Sequence, residues 1–153
     1  MRLTNFSDYA LRMLMYAASA GDRLITIEET ARTFKVSKTH LNKVANTLTR
    51  SGYLKAVRGR SGGLVLGLRP EMIRIGDVIR LTEPDFAVVE CFATGNQCVL
   101  TDTCKLSRMF GEAIASFQST LDRYTLADVA LMPQHFLGRP LPPQASGAAR
   151  GDG

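Results

Sequence analysis

The chain has 153 residues, of which 45% are hydrophobic, and a formal net charge of +5. A chain of this length buries most of the apolar surface that its unfolded form exposes, so we expect one sizeable core. No apolar run reaches the roughly eighteen residues of a membrane span, and no signal-peptide pattern occurs. We therefore predict a soluble, cytoplasmic protein and exclude a membrane or secreted one.

The first predicted element is an amphipathic helix in the segment NFSDYALRMLMYAASAG. Its apolar residues recur three and four positions apart, which is the spacing of one helix face, and Gly21 is a typical helix stop. Asp8 and Arg12 lie one turn apart on the opposite, polar face. An acidic residue that precedes a basic one at this spacing supports a helix by about 0.2–0.5 kcal/mol.

A short helix and a longer helix follow, separated by a turn. Thr26 and Glu29 predict a capping box at the start of the short helix, and Ser37 is a typical N-cap for the longer one. The longer helix has one apolar face, and its other face is polar and basic. We predict that this second face contacts DNA in the major groove through Lys38, Thr39, His40, Asn42 and Lys43. His40 is explained equally well as an ordinary surface histidine.

Two β-rich runs, residues 53–57 and 64–68, flank the segment RGRSGG and predict a β-hairpin. Small residues at its tip let backbone amides and guanidinium groups approach phosphate, so we predict DNA contacts from Arg58, Arg60 and Ser61. Helix, short helix, turn, longer helix and basic hairpin form a winged helix-turn-helix domain, which we predict for residues 1–83. The predicted fold class is mainly α with a small β-hairpin wing.

Charge is distributed unevenly along the chain. Between Thr30 and Pro70 all of the charged residues are basic, and none is Asp or Glu. A solvated face normally mixes both signs, so this segment predicts a surface that binds a polyanion. The partner that we predict is double-stranded promoter DNA.

A further amphipathic helix is predicted in MIRIGDVIRLTEP, where Pro84 ends it. All the cysteines follow, and we predict a cysteine-rich loop over residues 84–104 that contains Cys91, Cys98 and Cys104. Their spacing does not match the close pairs of structural zinc sites, and nothing marks one of them as a catalytic nucleophile. We therefore predict that the protein is not an enzyme. A widely spaced loop can hold an iron–sulfur cluster, and three unliganded thiols remain the alternative.

The last predicted helix lies in a dimerisation region over residues 105–132. Its apolar residues alternate spacings of four and three, as in a helix–helix seam: Phe110, Ile114, Phe117, Leu121 and Tyr124. The seam fits either its own domain or a second copy, and we favour a homodimer because proteins that bind two-fold operators are commonly dimers. Residues 133–153 are predicted to form a disordered tail, since from Gly138 onward the segment is rich in Pro, Gly and Ala.

From Met1 to about Met132 the chain resembles the bacterial iron–sulfur winged-helix regulators, most closely their nitric-oxide-sensing, NsrR-type branch. The resemblance rests on the three-cysteine loop and on the segments MRLTNFSDYALRMLMYAA, VSKTHLNKVANTLTRSGYLKAVRGRSGGLVLG, IRIGDVIRLTEP and LDRYTLADV. It implies a transcriptional repressor whose iron–sulfur cluster, 4Fe–4S or 2Fe–2S, controls DNA binding. Nitrosylation of that cluster would cause derepression.

The resemblance also implies the ligands of the cluster. Three would be Cys91, Cys98 and Cys104, and the fourth would be Asp8 of the partner subunit. A carboxylate oxygen is a poorer match for cluster iron than a thiolate, so the iron that it binds should be the easiest for nitric oxide to attack. A related branch uses a histidine three residues after the third cysteine, where this chain has Ser107. The alternative function is an iron-responsive or redox-responsive regulator of the same fold.

Overall fold

The computed structural model describes residues 2–100 and 102–137. Within them the chain forms helices α1 (Asn5–Ala20), α2 (Ile27–Phe34), α3 (Lys38–Arg50), α4 (Ile75–Thr82) and α5 (Lys105–Leu121) and strands β1 (Leu54–Val57) and β2 (Gly63–Leu66). This order confirms the predicted fold class, a mainly helical protein with a β-hairpin wing. Among these residues, no helix is long and apolar enough to cross a membrane.

The start of α2 shows which part of the predicted capping box forms. The hydroxyl of Thr26 accepts a hydrogen bond from the backbone N–H of Glu29, as an N-cap should. The Glu29 carboxylate accepts hydrogen bonds from the Tyr16 hydroxyl at 3.1 Å and from Arg23 at 2.8 Å. Burial raises the pKa of Glu29, but the hydrogen bonds from Arg23 and Tyr16, the charge of Arg23 and a hydrogen bond with Thr26 together leave that pKa below its usual value. Glu29 thereby ties α2 to α1.

One apolar core joins α1, α3, α4, the hairpin and the segment after α5. Its members recur at the helical spacing that the sequence predicted for α1 and α3, so one face of each helix turns inward. The core consists of Ala10, Met13, Leu14, Ala17, Ile25, Leu41, Val44, Ala45, Leu48, Leu54, Leu64, Ile73, Val78 and Leu126. This packing holds α3 with its polar face turned outward.

The wing is fixed at its base and turns tightly at its tip. β1 and β2 pair as antiparallel strands. The backbone of Ile25 forms hydrogen bonds of 2.9 and 2.7 Å with Leu64, which attaches the hairpin to the segment before α2. At the tip the N–H of Gly62 donates to the carbonyl of Gly59, whose φ of 125° favours glycine.

Tyr124, the last residue of the predicted seam, lies beyond the end of helix α5. α5 ends at Leu121, and Asp122 is its C-cap. The carbonyl of Tyr124 accepts a hydrogen bond of 2.9 Å from the N–H of Ile75, which draws the chain back onto the winged domain. The spacing of apolar residues does not predict this hydrogen bond, because Tyr124 continues the four-and-three spacing although it lies outside the helix.

The start of the predicted tail is ordered. Pro133–Leu137 forms a 3₁₀ helix, whereas the sequence placed these residues in a disordered segment. The ring of Phe136 packs edge-on against Tyr16 at 5.3 Å and Phe34 at 5.9 Å between centroids. Through this contact the 3₁₀ helix buries apolar aromatic surface against α1 and α2. The rest of the predicted tail, residues 138–153, lies outside the described residues.

Candidate nucleic-acid interface and cysteine loop

The outward face of α3 presents every polar residue that was predicted to contact the major groove. The opposite face is buried through Leu41, Val44 and Leu48, which fixes the rotation of the helix. As a result the predicted contact residues are all exposed: Lys38, Thr39, His40, Asn42 and Lys43. A helix that lies in a major groove requires this arrangement.

The basic surface has one acidic neighbour that the linear sequence did not reveal. Glu28 of α2 lies 3.7 Å from the Nζ of Lys38, and both side chains are more than half exposed. Glu28 precedes the acid-free stretch in sequence and approaches it only in space. An exposed pair of this kind contributes roughly 0–1 kcal/mol, so Lys38 can exchange Glu28 for a phosphate at little cost.

A tyrosine of α1 contacts α3. The ring of Tyr9 stacks on the imidazole of His40, with centroids 6.4 Å apart and an interplanar angle of 26°. Tyr9 directly follows Asp8, the residue predicted to reach the cluster of a partner subunit. The two rings are far apart along the chain, so no spacing pattern could have paired them.

The tip of the wing carries three polar side chains, all exposed: Arg58, Arg60 and Ser61. Within the part of the chain that the structure describes, neither arginine forms an ion pair. Both guanidinium groups are thus available to phosphate. The geometry agrees with the predicted role of the wing.

The cysteine loop begins where the end of α4 meets the start of α1. The carboxylate of Glu83 accepts hydrogen bonds from the N–H and the hydroxyl of Thr4, at 2.9 and 3.1 Å. Beside them the hydroxyls of Ser7 and Thr82 form a buried hydrogen bond of 2.8 Å. Buried polar networks that are satisfied rigidify the elements that they join. The first end of the loop is therefore tied to α1.

The three thiols follow within the loop and at its junction with α5. Cys91 lies in the 3₁₀ helix Glu90–Phe92, and Cys104 is the N-cap residue of α5. The backbone N–H of Cys98 donates to the side-chain oxygen of Asn96 at 2.8 Å. All three cysteines are partly exposed.

The donor set fits an iron–sulfur cluster in its chemistry, but one chain does not assemble it. Cysteine thiolates are the usual ligands of cluster iron, and the loop offers three. Within residues 2–100 and 102–137, no three His, Cys, Asp or Glu side chains lie close enough together to hold a metal ion. Asp8 is held in a two-bond ion pair with Arg12, at 2.9 and 3.0 Å, and 44% of its side chain is exposed.

Helix α5 leaves its apolar side open. None of its residues is buried. Three residues of the predicted seam, Phe110, Ile114 and Phe117, line an apolar groove together with Phe86 and Val88 of the loop. The seam is thus an accessible apolar surface in a single chain.

Comparison with known proteins identifies relatives over most of the chain. Residues 3–131 match the family model of Rrf2, described as an iron-dependent transcriptional regulator. The chain is 42% identical over 137 residues to the HTH-type transcriptional regulator NsrR of Bacillus licheniformis, covering 88% of this chain and 96% of that protein. It is 46% identical over 131 residues to NsrR of Bacillus subtilis, covering 84% and 90%. These relatives confirm the resemblance found in the sequence.

A solved structure gives the same picture of the fold. CymR, the global cysteine regulator of B. subtilis, superimposes with a TM-score of 0.65 at 25% identity, covering 85% of this chain and 96% of that one. The relatives are transcriptional regulators, and the exposed polar face of α3 and the basic wing suit such proteins. The chain therefore belongs to the Rrf2 family of transcriptional regulators, a family of DNA-binding proteins rather than enzymes.

Proposed function

We propose that the chain is a homodimeric, nitric-oxide-sensitive transcriptional repressor whose iron–sulfur cluster controls its affinity for promoter DNA. One observation carries the proposal: the cysteine loop connects the end of α4, which is tied to α1, with the start of α5, which carries the apolar seam. Glu83 accepts a hydrogen bond from Thr4 at the start of α1, and Cys104 is the N-cap residue of α5. A change in the loop would thus act on α1, which packs on α3, and on the helix assigned to dimerisation. The protein would work in the cytoplasm, where promoter DNA is found.

We assign Cys91, Cys98 and Cys104 as cluster ligands and Asp8 of the partner subunit as the fourth. Asp8 supports this role because it is partly exposed and its pair with Arg12 contributes at most about 1 kcal/mol, which coordination to iron can replace. When bound, the cluster would supply iron that binds nitric oxide, most readily at the oxygen-ligated position. Cluster nuclearity, 4Fe–4S or 2Fe–2S, is left open by this donor set.

We assign the DNA contacts to the exposed residues of α3 and the wing. In a dimer, the two copies of α3 have to match half-sites that are one helical turn, about 34–36 Å, apart. A movement of a few ångströms between the subunits therefore weakens one half-site. Typical allosteric couplings of roughly 1–3 kcal/mol change affinity by about 5–150-fold, which is enough to release a promoter.

We assign the dimer interface to the open seam of α5. The groove beside Phe117 is apolar, and burial of such surface is the main driving force of stable self-association. The interface would contain Phe110, Ile114, Phe117 and Leu121, with Tyr124 just beyond the end of the helix. Tyr124 is 47% exposed in the single chain, so a partner could still cover it.

A mixed dimer tests whether the fourth ligand comes from the partner. One chain carries Asp8→Ala and the other carries Cys91→Ala, each with a different affinity tag. If Asp8 reaches across the dimer, one complete site survives, and the mixed dimer holds about half of the wild-type iron and sulfide. Each variant homodimer has two damaged sites and serves as the control. A mixed dimer with no more cluster than these homodimers would contradict the assignment.

An iron-responsive regulator is the second candidate, and the description of the family as iron-dependent favours it. In that case iron shortage, rather than nitric oxide, would be the signal. Two treatments of the DNA-bound protein separate the candidates. Release by brief nitric oxide exposure supports the first proposal, while release by an iron chelator without any response to nitric oxide supports the second.

A further inference from the structure

Helix α5 connects the cysteine loop to the winged domain as a single rod. Its N-cap is Cys104, a proposed cluster ligand, and its C-cap is Asp122. The 17 residues of the helix span about 25 Å at 1.5 Å per residue. A displacement at Cys104 therefore reaches Asp122 without passing through flexible chain.

Asp122 docks on α4 through two arginines, of which Arg74 donates to its backbone carbonyl at 3.2 Å and Arg80 binds its carboxylate. The guanidinium of Arg80 donates to the two carboxylate oxygens of Asp122, at 2.6 and 3.2 Å. It also donates to Asp77 of α4 at 2.6 Å. Such two-bond arginine–carboxylate contacts fix the relative orientation of the two groups. The hydrogen bonds with Asp122 and then Asp77 raise the pKa of Arg80, and those with Arg80 lower the pKa of Asp122.

The contact with Asp122 depends on a glycine of α4. A side chain at Gly76 would collide with the carboxylate of Asp122. Gly76 lies in the first turn of α4, where the helix dipole favours a negative charge. The absence of a side chain thus lets the carboxylate settle over the start of α4.

Backbone hydrogen bonds add to the contact between Asp122 and α4, and we call the whole attachment the joint. The N–H of Ile75 donates to the carbonyl of Tyr124 at 2.9 Å, and the N–H of Leu126 donates to the carbonyl of Ile73 at 2.8 Å. Leu126 and Ile73 are both fully buried. The chain after α5 is therefore attached to the core of the winged domain.

The opposite end of α5 has much weaker anchorage. Of the loop residues described between 83 and 104, none is buried. Cys104 makes no side-chain hydrogen bond to the helix that it caps. A rod that is held firmly at one end and loosely at the other moves mainly at its loose end and pivots about the joint.

We propose that Arg80 and Asp122 are positioning residues that transmit the state of the cysteine loop to the DNA-binding domain. A change at Cys104 tilts α5, and the joint makes the winged domain follow the helix. The joint acts through α4 and the core rather than by touching DNA or the cluster. This inference rests on the proposed function, because it requires the loop to control DNA affinity.

The experiment compares the full chain with Arg80→Gln and Asp122→Asn. For each protein the dissociation constant for one selected promoter duplex is measured with the cluster bound and after its removal. We expect the wild-type ratio of the two constants to lie within about 5–150-fold and the ratio of both variants to fall below about threefold. Arg108→Gln is the matched control, since it breaks an exposed ion pair with Glu112 inside α5, and its ratio should stay at the wild-type value.

Two further measurements separate signal transfer from simple loss of structure. Thermal unfolding identifies any variant that does not fold, and Arg80→Lys, which keeps the charge but loses the paired geometry, then replaces Arg80→Gln. Amide hydrogen exchange at Ile75 and Leu126 should rise in the variants and stay unchanged in Arg108→Gln. Folded variants that keep the wild-type ratio would overturn the inference alone. A wild-type ratio of one would overturn the proposed function, and the inference with it.

Discussion

The winged domain and the half of the chain that contains the cysteine loop and α5 bury very different amounts of surface. α1 and α3 supply most of a closed core, in which Met13, Leu14 and Val44 are fully buried. By contrast, neither the described residues of the loop nor α5 contains a buried residue. The first half is therefore complete in one chain, whereas the second presents open apolar surface and unassembled thiols. Under the proposed function, a second chain would cover this apolar surface and a cluster would bind these thiols.

The largest expected effect is on the core of the winged domain. Leu14→Ala removes a fully buried side chain, so the free energy of unfolding should fall by about 2–5 kcal/mol. Leu106→Ala on α5 is the matched control, because Leu106 is 53% exposed and its loss should change stability by no more than about 0.5 kcal/mol. Urea unfolding measures both. Equal losses of unfolding free energy in the two variants would contradict the difference in burial between the two halves.

A second change targets the open seam. Phe117→Ala should raise the dissociation constant of the dimer about tenfold or more, because truncating an aromatic anchor at an interface commonly costs more than 1 kcal/mol. Sedimentation equilibrium measures this constant. Ser116→Ala, at an exposed position of the same helix, should leave it unchanged. If both variants associate like the wild type, the seam is not the dimer interface.

A third change sharpens the role of the wing. Replacing Arg58 and Arg60 by Ala should lower the slope of log affinity against log salt concentration by about 1 for each phosphate that the wing no longer neutralises. Binding titrations at several salt concentrations give this slope. Arg123→Ala removes an exposed charge just beyond α5 and should leave the slope as it is. An unchanged slope in the wing variant would place the wing away from the DNA backbone.

The smallest expected effect is a pH dependence at the joint. Hydrogen bonds from Arg80 hold the pKa of Asp122 below its usual value, so the paired carboxylate stabilises the folded state above the pKa of an unfolded aspartate, about 3.9. That contribution is lost as the pH falls through the lower folded pKa. Wild-type protein should lose slightly more stability than Asp122→Asn on acidification over this range. Parallel curves of unfolding free energy against pH for the two proteins would show that the pair of Arg80 and Asp122 does not stabilise the fold.

Local patterns were sufficient to predict the winged domain. The spacing of apolar residues located α1 and α3, and the segment RGRSGG located the wing, because both signals depend on neighbours in the chain. The failures involve contacts between distant residues. Tyr124 continues a helical spacing, yet its carbonyl bonds to Ile75, and Phe136 follows a proline in an apparent tail, yet it packs on α1.

The candidate site was predictable in its chemistry but not in its arrangement. The spacing of the cysteines is compatible with an iron–sulfur cluster, while the proposed ligand from a second chain is implied only by the resemblance. The stacking of Tyr9 on His40 and the joint between Arg80 and Asp122 require the packing of helices that lie far apart in sequence. Charged residues at such positions otherwise look like ordinary surface groups.

The proposed function requires that an inorganic group bound by two copies of the chain sets the affinity for DNA. The most direct measurement follows iron, acid-labile sulfide and promoter affinity in one oxygen-free sample while nitric oxide is added. We expect sulfide in the purified protein and an affinity that falls by about 5–150-fold as the absorbance of the cluster is lost. Protein without sulfide, or an affinity that stays constant after the absorbance has gone, would contradict it.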